Sequence, residues 1–154
     1  MRLNVNLSHT LPALSIRQPW AGLIAAGRKS VEVRTWPAAY RGPLLIHASK
    51  IRDERPEATK WVTPDVAPLC EITGGVIGLV ELIECQSYRL STEFLADQTE
   101  HLNAPNWFLP QGLFGFRLAN PVRVTFFPCS GQTRFFYVTG FEMPRIIFPP
   151  ETAP

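Results

Sequence analysis

The sequence predicts an α+β fold, a small mixed β-barrel of about six strands with two to three short helices. Three observations lead there. The chain has 154 residues, 45% of them hydrophobic, which suits the core of one domain and argues against wholesale disorder. Fifteen prolines and ten glycines stand against 18% charged residues, favouring turns and short strands over long helices. Apolar stretches with strand character recur between turn residues. Closure into a barrel follows because it removes exposed sheet edges.

Taken in order, residues 1–12 are polar and are expected to form a loose arm, ahead of one domain at 13–140. Ala13 to Ile16 is a short strand, with Arg17 and Gln18 where it leaves the sheet. Pro19 suits the first turn of a helix, where its missing N–H costs nothing. Trp20 to Ala26 continues that helix, and Gly27 closes it. Ser30 to Trp36 alternates, sending Val31 and Val33 one way and Glu32, Arg34 and Trp36 the other. Pro37 ends this strand, Tyr40-Arg41-Gly42 turns, and Leu44-Leu45-Ile46 opens a more buried strand that exits through His47 and Ser49.

Asp53 to Val62 is expected to be a helix, with Asp53 as N-cap and Pro56 in the first turn. Thr63 to Gly75 is a connection, and Val76 to Cys85 is a strand broken by Glu81 and Glu84. Glu81 faces either solvent or the cleft that Glu32 faces. Ser91 caps a helix reaching His101, a helix-terminal histidine without chemistry. Trp107 and Phe108, in a proline-bounded loop, make either a lid or a plug for the core. Leu113 to Ala119 and Val122 to Phe127 are two strands joined by an Asn120-Pro121 turn, and Arg134 to Thr139 is the last strand. Residues 141–154 form a proline-rich tail that Phe141, Ile146 and Phe148 can pack.

Charge is unevenly spread. Arg17, Arg28, Lys29, Arg34, Arg41, Lys50 and Arg52 face a single acid, Glu32, within their span. From Trp61 to Gly112 the balance inverts, with Arg89 alone among acids. Arginine outnumbers lysine twelve to three, and its planar fork grips phosphate and stacks on bases. The pattern points to nucleic acid, the alternative being an ordinary solvated surface.

Cys70, Cys85 and Cys129 are odd in number and far apart, so neither a disulfide framework nor a zinc site is expected. No metal and no cofactor is called for. Apolar runs are too short to span a bilayer and no secretory leader opens the chain, so a cytoplasmic address without membrane attachment is expected.

Three ordered motifs carry a resemblance: Leu14-Ser15-Ile16-Arg17-Gln18-Pro19-Trp20-Ala21; Gly27-x-Lys29-x-x-Glu32-x-Arg34-Thr35-Trp36; and Tyr40-Arg41-Gly42-Pro43-Leu44-Leu45-Ile46-His47-Ala48-Ser49. Gly75 to Cys85, Gly115-Phe116, Pro121 and Pro128-Cys129-x-Gly131 agree with it. Together they resemble the ASCH family over Ala13 to Gly140. That resemblance implies a PUA-like barrel with a cleft beside its first helix, associated with RNA or modified-nucleobase recognition. Within the wider family, small bacterial acetylcytidine amidohydrolases carry Gly-x-Lys-x-x-Thr-x-Arg. Here Lys29 and Arg34 match, and Glu32 replaces the threonine, so the same nucleophile arrangement cannot form.

The leading expectation is a module binding RNA or a modified nucleoside through Arg17, Gln18, Trp20, Lys29, Glu32 and Arg34. Trp36, Tyr40, Arg41, His47, Ser49 and Lys50 complete the candidate interface. The alternative is an amidohydrolase for an acylated nucleoside, with Glu32 activating water and Lys29 steadying the oxyanion. A ribonuclease is a weaker third reading.

Overall fold

Strand β1 (Ser8–Ile16) lies between two neighbours of opposite sense, parallel to β3 (Gly42–Ala48) and antiparallel to β6 (Phe135–Glu142). In the computed structural model, which describes residues 8–143, β2 (Val31–Arg34), β4 (Gly75–Tyr88) and β5 (Leu113–Pro128) complete a six-stranded mixed sheet. Its order is β2-β5-β4-β3-β1-β6. A parallel pair needs a crossover. Helix α1 (Trp20–Ala25) and β2 provide it between β1 and β3.

The sheet buries both faces at its centre. Leu14, Ile16, Leu44 and Ile46 point to the side covered by α1. Ala13 and Leu45, one residue out of phase, meet Val76, Leu79, Phe136, Val138 and Phe141 on the other. This explains the unbroken Leu44-Leu45-Ile46 run, which a strand buried on one face only would have interrupted. Gly27 ends α1 at φ +78°, a conformation glycine adopts without strain.

Four expectations need correction. The ladder does not close into a barrel: β2 and β6 remain edges. Side chains cover their meeting point instead, where the Trp36 ring lies 5.2 Å from that of Phe135. The helices exceed two or three: besides α1, the described residues include α2 (Pro56–Thr59), α3 (Ala67–Cys70), α4 (Ser91–Ala96) and α5 (Gln98–His101). The Asn120-Pro121 step is no turn between strands. β5 runs through it, Asn120 takes φ +52°, and the ladder shifts register opposite Leu79 and Glu81. Finally, β1 starts at Ser8, inside the expected arm, because antiparallel pairing with β6 reaches Ser8 opposite Glu142. Of the expected tail, Phe141 packs in the second core, while Ile146 and Phe148 lie outside the described residues.

Candidate nucleic-acid interface

The alternation of β2 does what period two requires. Glu32 and Arg34 share a face, and Arg34 Nη2 donates to Glu32 Oε2 at 3.0 Å. The same nitrogen donates to the Ser15 carbonyl at 2.9 Å, tying the β2 edge to the end of β1. On the other side of Glu32, Lys29 Nζ stands 3.7 Å from Oε1. The Lys29 ammonium donates to the His101 carbonyl, approaches Asn103 Oδ1 at 3.4 Å and lies 4.8 Å from the Trp20 ring centroid. Only 1% of Lys29 is exposed. Burial pushes its pKa from 10.5 down to about 8, outweighing the attraction of Glu32. Glu32 thus sits between two fixed cations.

His47 leaves β3 beside Ser15 of β1. Its Nε2 lies 2.8 Å from the Cys129 carbonyl, which can only accept, so Nε2 carries the proton. Nδ1 shares the second hydrogen bond with the Ser15 hydroxyl at 2.9 Å, accepting it when the ring is neutral. Gly131 closes over this pair. A Cβ there would meet Ser15 Oγ at 2.6 Å and His47 Cε1 at 2.8 Å, so any side chain would force the loop away.

The opposite wall is built around Asp53. Its backbone N–H donates to the Gln18 carbonyl at 2.8 Å, which delivers the carboxylate to Trp20. Trp20 Nε1 donates to Oδ2 at 2.9 Å, and Arg55 grips both oxygens at 2.9 and 2.7 Å. The Arg55 hydrogen bonds, helped by the indole, pull the Asp53 pKa from 3.8 to about 2. Arg55 then lies 3.7 Å over the Trp107 ring, and Trp107 meets Trp20 edge-on at 6.1 Å. Asp53 is therefore an organiser of this wall rather than a helix cap; Arg55 holds the cap position of α2.

Between these walls lies a cleft of about 780 Å³, within the range of small-ligand sites. Its lining cations are Arg17, Arg34, Lys50 and Arg55, and its lining acids are Glu32 and Asp53, each held by an arginine. Arg17 and Lys50 are exposed and pair with no carboxylate among the described residues. The cleft therefore offers an acceptor at its floor, an arginine–tryptophan wall and free positive charge at its rim.

Of the residues expected from sequence, Arg17, Trp20, Glu32 and Arg34 line this cleft, as do His47, Ser49 and Lys50. Lys29 lies beneath the floor. Gln18 does not reach the rim. It is fully buried, accepting from Gly22 N–H at 2.8 Å and donating to the carbonyls of Leu69 and Ile72 at 2.9 and 2.8 Å. Trp36, Tyr40 and Arg41 fall outside. Trp36 packs edge-on against Phe116 and Phe135, Tyr40 donates to the Pro43 carbonyl, and Arg41 donates to the carbonyls of Ala38 and Tyr40. Glu81 is exposed and faces Asn120. His101 is buried between the Phe94 carbonyl and the Asn103 N–H.

Sequence reasoning missed Arg55, Asn103 and the Ser130 to Thr133 segment as lining residues. Trp107 and Phe108, weighed as lid or plug, both pack against the cores as plugs, and Trp107 also forms a wall of the cleft. The one available signal was the pairing of an aromatic loop residue with an unplaced arginine. Among the described residues no group of three or more His, Cys, Asp or Glu is arranged to hold a metal, and no helix is long and apolar enough to cross a membrane.

The model of the ASCH domain matches residues 14–124. Activating signal cointegrator 1 from Homo sapiens and from Mus musculus are each 30% identical over 132 residues, covering 80% of this chain and 21% of theirs. The chain thus spans about a fifth of the length of these curated relatives. Among solved structures, ASCH from Zymomonas mobilis superposes with a TM-score of 0.58 at 15% identity, covering 82% of this chain and 86% of that one. A single-substitution variant of it gives 0.60 at 15% identity, over 82% and 88% of the two chains. At such identities the likeness establishes a shared fold.

Proposed function

Because the chain belongs to the ASCH domain family, we propose that its cleft binds one unpaired base of RNA, or the same base as a modified nucleoside. The observation that carries this reading is the Glu32 carboxylate, held between Lys29 and Arg34 on the floor of the cleft. Held there, it presents acceptors only, suited to the exocyclic amine of cytosine or adenine. Arg17 and Lys50 stand where phosphates would pass, and the Arg55–Trp107 wall offers a flat surface beside the base. The family's association with RNA supports the choice.

Fluorescence anisotropy with labelled single-stranded RNA over a salt series tests it. Affinity falls with salt, with a log–log slope of roughly −0.7 per phosphate neutralised. Arg17→Ala with Lys50→Ala reduces that slope, and Glu32→Gln changes which base is preferred. Salt-independent binding, or a slope untouched by the double substitution, would remove this reading.

The amidohydrolase alternative draws on the lowered pKa of Lys29 beside Glu32. Against it, Lys29 does not line the cleft, and its ammonium donates to the His101 carbonyl and approaches Asn103 from behind the lining. Turnover of an acetylated cytidine by the wild type, lost in Glu32→Gln, would reverse the order of the two.

A further inference from the structure

Three of the five expected residues that the cleft does not hold, Trp36, Tyr40 and Arg41, lie together on another face. There the edge strand β6 supplies two aromatic rings. Phe136 and Val138 point into the second core, so Phe135 and Tyr137 point out the other way. Phe135 meets Trp36 at 5.2 Å and Tyr40 at 6.2 Å. Tyr137, about 7 Å further along the strand, is 74% exposed. Partial burial, and then the Tyr137 phenol, raise the pKa of Tyr40.

Two arginines complete this face. Arg134 lays its guanidinium 5.1 Å from the Trp36 ring centroid. It does so from φ +59°, a region that disfavours side-chain-bearing residues. Arg41 donates through Nη1 to two backbone carbonyls at 2.8 Å. Neither arginine pairs with a carboxylate among the described residues. Of the rings only Tyr137 is exposed, Trp36, Tyr40 and Phe135 being half-buried against the first core. An exposed ring beside arginines free of carboxylates is what a stacked base and its phosphate require.

The face also continues from the cleft. Gln132 and Thr133 line the cleft, and Arg134 is the next residue. A chain leaving the cleft past Thr133 meets Arg134 first and then Tyr137, three residues further along β6. A base pair could not use this path, because one base must enter the cleft while its neighbour lies on a ring.

We propose that Trp36, Tyr40, Arg41, Arg134 and Tyr137 form a second nucleotide site, taking the unpaired nucleotides next to the one in the cleft. The ligand is then a single-stranded nucleic acid rather than a free nucleoside. This rests on the cleft reading above, and the experiment keeps the two apart.

The probes are cytidine monophosphate, read by calorimetry, and fluorescein-labelled deca-cytidylate in ribo and deoxy form, read by anisotropy. Two variants target the face alone. Tyr137→Ala removes a mostly exposed ring, and Arg134→Gly suits the left-handed backbone at that position. Melting curves check that both stay folded. The expected result is decamer binding weakened about tenfold by Tyr137→Ala, in the ribo form or in both forms, with monophosphate affinity unchanged. Arg134→Gly weakens the decamer severalfold.

Decamer affinity held by both variants, while Arg17→Ala weakens it, overturns the second site and leaves the cleft reading standing. A decamer bound no more tightly than the monophosphate does the same. Equal weakening of monophosphate and decamer by Tyr137→Ala also overturns the site, since the loss would then arise in the cleft. A wild type that binds neither probe ends both readings.

Discussion

The Ser15 hydroxyl and Nδ1 of His47 share a hydrogen bond of 2.9 Å, while the opposite nitrogen of the ring donates to the Cys129 carbonyl at 2.8 Å. One imidazole therefore joins the ends of β1 and β3 to the segment that closes the cleft. Gly131→Ala tests this joint, because its Cβ would collide with both members of the pair. The expected cost is about 1–3 kcal/mol in denaturant unfolding, with weaker RNA binding. Ser15→Ala, which leaves Nδ1 unpaired but the loop attached, costs about 1 kcal/mol. If Gly131→Ala is as stable as wild type, the segment does not pack on this pair.

Lys29 imposes a pH dependence of definite sign. Its folded pKa of about 8 lies below 10.5, so the unfolded chain binds the extra proton between those values. The charged ammonium opposes folding fully below pH 8, and the penalty fades as pH climbs to 10.5. Cys70, raised from 9.0 to about 11 by burial, acts in the opposite direction at the upper end. Comparison with Lys29→Met cancels it. Wild-type unfolding free energy should gain on that variant by up to about 3 kcal/mol across the window. A constant difference would mean that Lys29 titrates normally.

Asp53 gives the opposite case, in acid. Its folded pKa of about 2 lies below 3.8, so its contribution is present above pH 4 and disappears as pH falls through 2. Asp53→Asn keeps an acceptor for the Trp20 indole and loses the charge that Arg55 grips. The variant should be less stable than wild type by about 2 kcal/mol at neutral pH. Acid titration followed by tryptophan fluorescence should bring the two together near pH 2, and a gap that persists there would assign the loss to packing.

Gln18 separates scaffold from surface. Gln18→Ala strands two carbonyls and one N–H in a fully buried place, which should cost about 2–4 kcal/mol. RNA affinity of the folded protein at low temperature should stay near wild type. A selective affinity loss without a stability loss would return Gln18 to the rim.

What could be read from sequence was what a few consecutive residues decide among themselves. Glu32 and Arg34 share a face because side chains alternate, and five residues suffice to show it. The far wall needed topology: Asn103 and Trp107 reach the cleft from some seventy residues beyond Glu32, across β4 and the later helices. Trp36 was misplaced because β2 ends at Arg34, after which alternation no longer holds. Asn120-Pro121 was ambiguous for a physical reason, since a left-handed asparagine serves a bulge as well as a turn. The barrel was inferred from the need to hide edges. The protein meets part of that need with the rings of Trp36 and Phe135 instead of a closed ladder.

The pairing of Ser8 with Glu142 brings the two ends of the sheet to adjacent strands, while Ser15 beside the cleft stands seven residues up β1. That distance is about 23 Å along the strand. The start of the first strand and the end of the last are thus neighbours, remote from the cleft. Such a unit can be spliced into a host polypeptide at a single surface point, as a plug-in with its working end facing outward. A short linker joining 8 to 142, with new ends opened elsewhere in an exposed loop, would leave the walls of the cleft in place.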